Sequence, residues 1–240
     1  MIGAILNCAG IVFGALLGWT GVVRLSPATQ VFIKSGLAAF TAFFGLRLVL
    51  VSLEGPLFGE FRQLLIVALA VVVGGWVGRL LQLQRWSNRL GRRAGELLLA
   101  AQKQPPGGWH DGFLAATVLF TAAPLGLIGA VAEGLTGGWH LLAVKAVMDG
   151  LATAGFARFF RPGFVLAAFP VWLFLQLVSE AGHEFALPFL AARQLTWSVT
   201  GAAGLLACLV TLVILGARRV ELAAYLPALV LAPLLAHWLG

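Results

Sequence analysis

The sequence predicts an all-α polytopic membrane bundle of about eight transmembrane helices. Three observations carry that expectation. The 240 residues are 60% hydrophobic and only 10% charged, where a soluble domain holds about 25% charged residues. Mean hydropathy is +0.97. Apolar runs about 20 residues long recur from end to end, parted by short polar turns. A chain this apolar cannot cover its own surface in water, whereas acyl tails accept it without cost. Residues 1–240 read as a single transmembrane domain, with a surface segment at 84–108.

The spans follow in order. Span 1 runs from Ile2 to Val22, without the basic leader of a signal peptide, so it reads as a mature helix. Span 2 runs from Gln30 to Leu53, and an acidic turn from Glu54 to Glu60 follows. Span 3 runs from Gln63 to Leu83. From Arg85 to Lys103, Leu90, Ala94, Leu97, Leu98 and Ala101 recur at three- and four-residue steps between basic residues. That pattern predicts an amphipathic helix on the membrane surface, ended by Pro105-Pro106-Gly107-Gly108. Span 4 runs from Gly112 to Leu135 with Pro124 inside it, and span 5 from Trp139 to Phe160. Span 6 runs from Phe164 to Val178. A loop with Glu180, His183 and Glu184 is expected next, then a short interfacial piece from Phe185 to Leu195. Span 7 runs from Thr196 to Leu215 and span 8 from Leu222 to Leu239.

Charge orients the bundle. With the Arg85–Lys103 stretch inside, Arg24, Arg158, Arg161, Arg218 and Arg219 also fall inside, and Glu54, Glu60, Glu133, Glu180 and Glu184 fall outside. The expectation is therefore a bacterial inner-membrane protein with both termini outside. The net charge of +7 is explained by the same rule, and nucleic acid is not an expected partner. Membrane lipid is one, and so is a small solute or ion. Gly10, Gly14 and Gly18 in span 1, with Gly74 and Gly78 in span 3, read as close helix packing within the chain, with a homodimer seam as the alternative. Spans 1–3 and 4–6 are candidates for an inverted repeat, span 2 with Lys34 matching span 5 with Lys145.

Chemistry concentrates in span 5. Lys145 and Asp149 stand four residues apart, so they share a helix face and can pair. At 1.5 Å per residue Asp149 lies ~15 Å deep, near mid-membrane. Ionisable groups there are costly and mark sites. The functional reading is a site facing a water-filled cavity, where Asp149 would bind a proton or cation, with Lys145 competing for it or meeting an anionic solute; the alternative is a structural ion pair. In span 4, Thr121 and Pro124 stand beside a run of glycines, and the proline breaks the backbone ladder, as in helices that frame transporter sites. Glu133 is expected at the outer rim. Asn7 and Gln176 read as interhelical hydrogen bonds. The four histidines are scattered at boundaries, and Cys8 and Cys208 sit in apolar runs, so no metal site is expected. No cofactor is expected, and no enzyme, for want of a nucleophile–base set or phosphate loop. The reading is a small-solute or ion transporter. The alternatives are a passive pore and a scaffold acting as a homo-oligomer.

The run Pro124…Gly129…Glu133-Gly134-Leu135-x-Gly137, then Lys145-x-x-x-Asp149-Gly150, resembles a bacterial membrane family, domain of unknown function 554 (YqgA-like and YdfK-like). Gly3-x-x-x-Asn7 and Leu226-Pro227-Ala228 resemble it too, and the likeness covers essentially the whole chain. Glu133 stands where the family leads one to expect Asp, and Gly138 where an acidic residue is expected. The resemblance implies a polytopic membrane protein and no established substrate.

Overall fold

A computed structural model describes residues 1–20, 26–53, 55–103, 109–160, 162–218 and 220–239, without the side chains of 100–103, 109, 157–160 and 162. Among these residues every regular element is helical. They are α1 Ile2–Thr20, α2 Pro27–Ser52, α3 Leu57–Leu80, α4 Leu83–Lys103, α5 Trp109–Thr121, α6 Pro124–Thr136, α7 His140–Phe160 and α8 Pro162–Ala181. A π-helical turn, Gly182–Ala186, leads into α9 Leu187–Ala191, α10 Thr196–Ile214, α11 Leu222–Tyr225 and α12 Ala228–Leu239.

The expected membrane bundle is present. Among the described residues, six helical stretches are long and apolar enough to cross a bilayer, and α5 with α6 makes a seventh if the pair, bent by 58° at its break, is one span. The remaining expected span corresponds to α7, 21 residues long with Lys145 and Asp149 in its first half, which does not join those stretches, so the described residues hold six or seven such spans where eight were expected. Local chemistry sets the helix ends. The Ser26 hydroxyl caps α2 by accepting from the Thr29 N–H at 3.1 Å, with Pro27 pre-set for the first turn. Gly137 closes α6 at φ +70°, a left-handed conformation that only glycine adopts cheaply.

One expectation is corrected. The loop drawn around Glu180, His183 and Glu184, and the separate interfacial piece after it, are one helical continuation, so the sixth span is the 29 residues Gly163–Ala191. The π turn supplies the reason. It widens the helix by one residue just ahead of Pro188, which has no N–H to give, and the chain passes the proline without breaking. Polar residues here are compatible with a helix because His183 and Glu184 are exposed.

Glycines set how the helices pack. A Cβ on Gly10 would meet the Ala146 carbonyl oxygen at 2.5 Å, and one on Gly14 would meet the Gly150 carbonyl carbon at 2.7 Å. Helices α1 and α7 therefore touch backbone to backbone and run parallel, as spans four crossings apart must. Gly45 of α2 meets Gly204 of α10 in the same way, and Gly74 of α3 meets Ala228 of α12. Gly10 and Gly14 of span 1 and Gly74 and Gly78 of span 3 thus pack inside the chain, the first of the two readings given for them. Lys34 is exposed whereas Lys145 is buried, so the two lysines of the candidate repeat stand in different surroundings.

Helix α4 is amphipathic as expected. Ala94 and Leu98 are buried and Leu97 is half-buried, Leu90 of the expected apolar face is exposed, and Arg85, Arg89, Arg92 and Arg93 are exposed. Residues 104–108 of the surface segment lie outside the described residues, as do Arg24, Glu54, Arg161 and Arg219 and the side chain of Arg158, on which the charge pattern partly rests. Two contacts place the end of α3, the start of α4 and the entry to α11 on one face. Arg79 pairs with Glu221 at 3.6 Å, and the Ala223 N–H donates to Gln84 Oε1 at 3.1 Å.

Candidate functional site

The polar centre of the bundle is built on α7. Lys145 is 1% exposed and Asp149 7%. One helical turn apart, the Lys145 ammonium donates to Asp149 Oδ2. The same oxygen accepts from Asn7 Nδ2 of α1 at 2.8 Å. Thr153 donates its hydroxyl to the Asp149 carbonyl oxygen at 2.7 Å, bonding within its own helix. The ammonium also stands 5.8 Å from the centroid of the Phe120 ring, a cation–π approach that adds to its stabilisation in a dry setting. Room for the lysine stem comes from Gly126 of α6, where a Cβ would lie 2.7 Å from Lys145 Cε. Four helices thus close on one pair of opposite charges. Asn7 is fully buried, and its Oδ1 has no hydrogen-bond partner among the described residues. It is the open acceptor of the cluster.

A second buried acid lies beside the first. Glu133, near the end of α6, is 2% exposed, so it is a buried group and not the solvated charge that a place at the outer rim would make it. Its Oε1 accepts from the backbone N–H of Gly3 at 2.6 Å, and its Oε2 from the Ser179 hydroxyl at 3.2 Å. Gly3 and Gly134 make the burial possible: a Cβ on Gly3 would lie 2.7 Å from Leu142, and one on Gly134 3.1 Å from the Gly182 Cα. The packing of α1 and α8 against α6 roofs over a residue that a single helix would leave at its end. Gly3 and Asn7 are one turn apart, so α1 bonds both acids. Glu133→Ala is expected to cost about 1–3 kcal/mol, because it strands the Gly3 N–H in an apolar setting. Thermal unfolding in detergent, compared with Ser179→Ala, measures it; an unchanged midpoint would show that Glu133 holds nothing.

The remaining sequence candidates divide. Pro124 opens α6 after the 58° break and forms part of the wall of two cavities, of about 940 and 710 Å³. The first lies under α4; the second lies between α2, α7 and α10 and is mostly apolar, with Lys34 and Met148 on its wall. Neither Lys145 nor Asp149 borders either cavity, so the water-filled cavity expected at the pair is neither of these, and the closely packed helices around the pair are the reason. Thr121 donates to the Thr117 carbonyl at 2.7 Å, a bond within its own helix. Gln176 bonds Glu180 of its own helix at 2.7 Å rather than another helix, the interhelical bond expected of it. Sequence reasoning gave Ser179 no part, met Gly3 only as a motif residue without its bond to Glu133, and read the arginines of α4 only as the basic face of a surface helix. A lone serine near a helix end and a backbone N–H carry no signal in a sequence. Among the described residues no three His, Cys, Asp or Glu side chains gather as metal ligands.

Comparison with known proteins places these residues in a wider setting. A family model described as "Protein of unknown function (DUF554)" matches residues 2–237. The chain is 28% identical over 243 residues to a protein of Escherichia coli (strain K12) described as "Uncharacterized protein YqgA", covering 99% of this chain and 97% of that one. It is 23% identical over 240 residues to the "Uncharacterized membrane protein YdfK" of Bacillus subtilis (strain 168), covering 97% and 94%. No solved structure matches the chain.

Proposed function

Because this chain belongs to the DUF554 family and is a multi-pass membrane protein, we propose that it moves a small solute or ion across the bacterial inner membrane, with both termini outside. The observation that carries the reading is the Asn7–Asp149–Lys145 cluster, set part-way along α7 and next to the broken span. Charges taken that deep are costly to keep and are characteristic of coupling sites. A proton on Asp149 would release Lys145 from its partner, and the 58° break at Pro124 supplies a place where a helix can hinge. Both cavities at the break stop short of the pair. That favours a gated carrier over a permanently open pore.

A second reading has its own support. The pair is sealed from both cavities, as a clasp between α1 and α7 would be. The variant Lys145→Gln with Asp149→Asn separates the two, since it keeps neutrality and nearly keeps shape. Proteoliposomes enclosing pyranine are given inward gradients from a panel of small organic and inorganic solutes. Wild-type protein is expected to acidify the lumen with at least one solute, and the double variant to fold and lose that flux. A folded double variant with wild-type flux would leave the clasp.

A further inference from the structure

The larger cavity has a chemistry of its own. Arg85, Arg89 and Arg92 recur at four and three residues along α4 and line it together with Asn88 and Pro124. Among the described residues, none of the three has a carboxylate within ion-pair distance; Arg89 stacks over the Trp86 ring at 5.5 Å. Asn88 accepts from Gln84 through its Oδ1 at 3.0 Å, which leaves its NH₂ to donate. Like charges one turn apart on a helix repel. Guanidinium groups that share a concave wall without a counter-charge suit an oxyanion, which each can grip through a planar fork of N–H donors. Ala123 and Pro124 bring the electropositive start of α6 to the same wall.

The buried pair can accept the same class of ligand. Lys145 and Asp149 are neutral together. If that site took a cation alone or an anion alone, a net charge would be left in a low-dielectric interior. An anion on Lys145 with a proton on Asp149 leaves it neutral. Along α6 only Leu125 separates Pro124, on the cavity wall, from Gly126, which touches the Lys145 stem.

We propose that Arg85, Arg89 and Arg92 form an oxyanion-binding vestibule that presents a carboxylate- or phosphate-bearing ligand toward Lys145. The onward step to Lys145 rests on the transport reading above; binding at the arginines does not. The ligand's charged group can belong to a free anion or to a lipid headgroup, and the test distinguishes them. Full-length protein in phosphatidylcholine nanodiscs is titrated at constant ionic strength with sodium phosphate, sulfate or succinate, with thermal unfolding and Trp fluorescence as readouts. The same protein is then compared in discs containing phosphatidylglycerol. A saturable stabilisation by a free anion, weakened roughly tenfold or more in Arg85→Gln/Arg89→Gln/Arg92→Gln and kept in Arg93→Gln, assigns a soluble ligand. Stabilisation only by phosphatidylglycerol, lost in the same triple variant, assigns a headgroup. No response to either, or a response the triple variant retains, overturns the vestibule. Binding without any solute-driven flux would retain the vestibule and remove the transport reading.

Discussion

Replacing Lys145 with Met is expected to destabilise the bundle by about 3–5 kcal/mol, because it leaves the Asp149 carboxylate charged and buried without its counter-ion. Asn7 alone would then donate to that oxygen. Lys145 is 1% exposed, so water cannot take the place of the lost ammonium without opening the packing of α1, α6 and α7. Removing both charges, as Lys145→Met with Asp149→Leu, should recover much of the loss. Replacing a buried pair by apolar groups of similar volume is often neutral or favourable. The recovery stays incomplete because the Asn7 amide loses its acceptor, at about 1–3 kcal/mol. Unfolding of the three proteins in mild detergent tests this. If Lys145→Met unfolds with the wild type, the charges reach water and the cluster is not the dry contact described above.

Gly14→Leu is expected to be the most damaging single change to the seam between α1 and α7. A real Cβ essentially never approaches another heavy atom within 3.0 Å, yet at position 14 it would lie 2.7 Å from the carbonyl carbon and 2.8 Å from the Cα of Gly150. Both are backbone atoms and cannot rotate aside. Helix α1 must move off α7, and the bond from Asn7 to Asp149 is lost with it. Overpacking costs about 1–3 kcal/mol when neighbours can yield, and more is expected here because they cannot. The protein should extract poorly or unfold early. Gly91→Ala, in α4 where nothing stands within 4 Å, is the control and should be neutral or slightly favourable. A Gly14→Leu protein of normal stability with an altered oligomeric state would mean that the stripe faces a second chain.

Much of this was legible along the chain. The i, i+4 spacing of Lys145 and Asp149 follows from helix geometry alone, and the structure pairs them. Pro124 lacks an N–H, and the span breaks there. The face of α4 followed from its alternation of leucine, alanine and arginine, and Ala94 and Leu98 are buried. Glu133 was not legible. It sits near the end of α6, which suggests a headgroup position; only Gly3 and Ser179, 130 and 46 residues away, turn it inward. The helical run through Glu180 and Glu184 was missed for a similar reason, since a π turn has no compositional signature.

The sequence by itself determined the solvent, the rough number of crossings and the helix that carries the charges. Those follow from composition and from repeats only a few residues long, which a bilayer converts directly into spanning helices. The tertiary structure alone decided that α1 is the partner of α7, that α1 bonds both buried acids, Glu133 of α6 and Asp149 of α7, and that three arginines face the break in span 4. In lipid every face of a spanning helix can be apolar, so periodicity does not say which face meets which neighbour. Close approach of small residues and the pairing of buried polar groups decide it, and both depend on residues far apart in the chain.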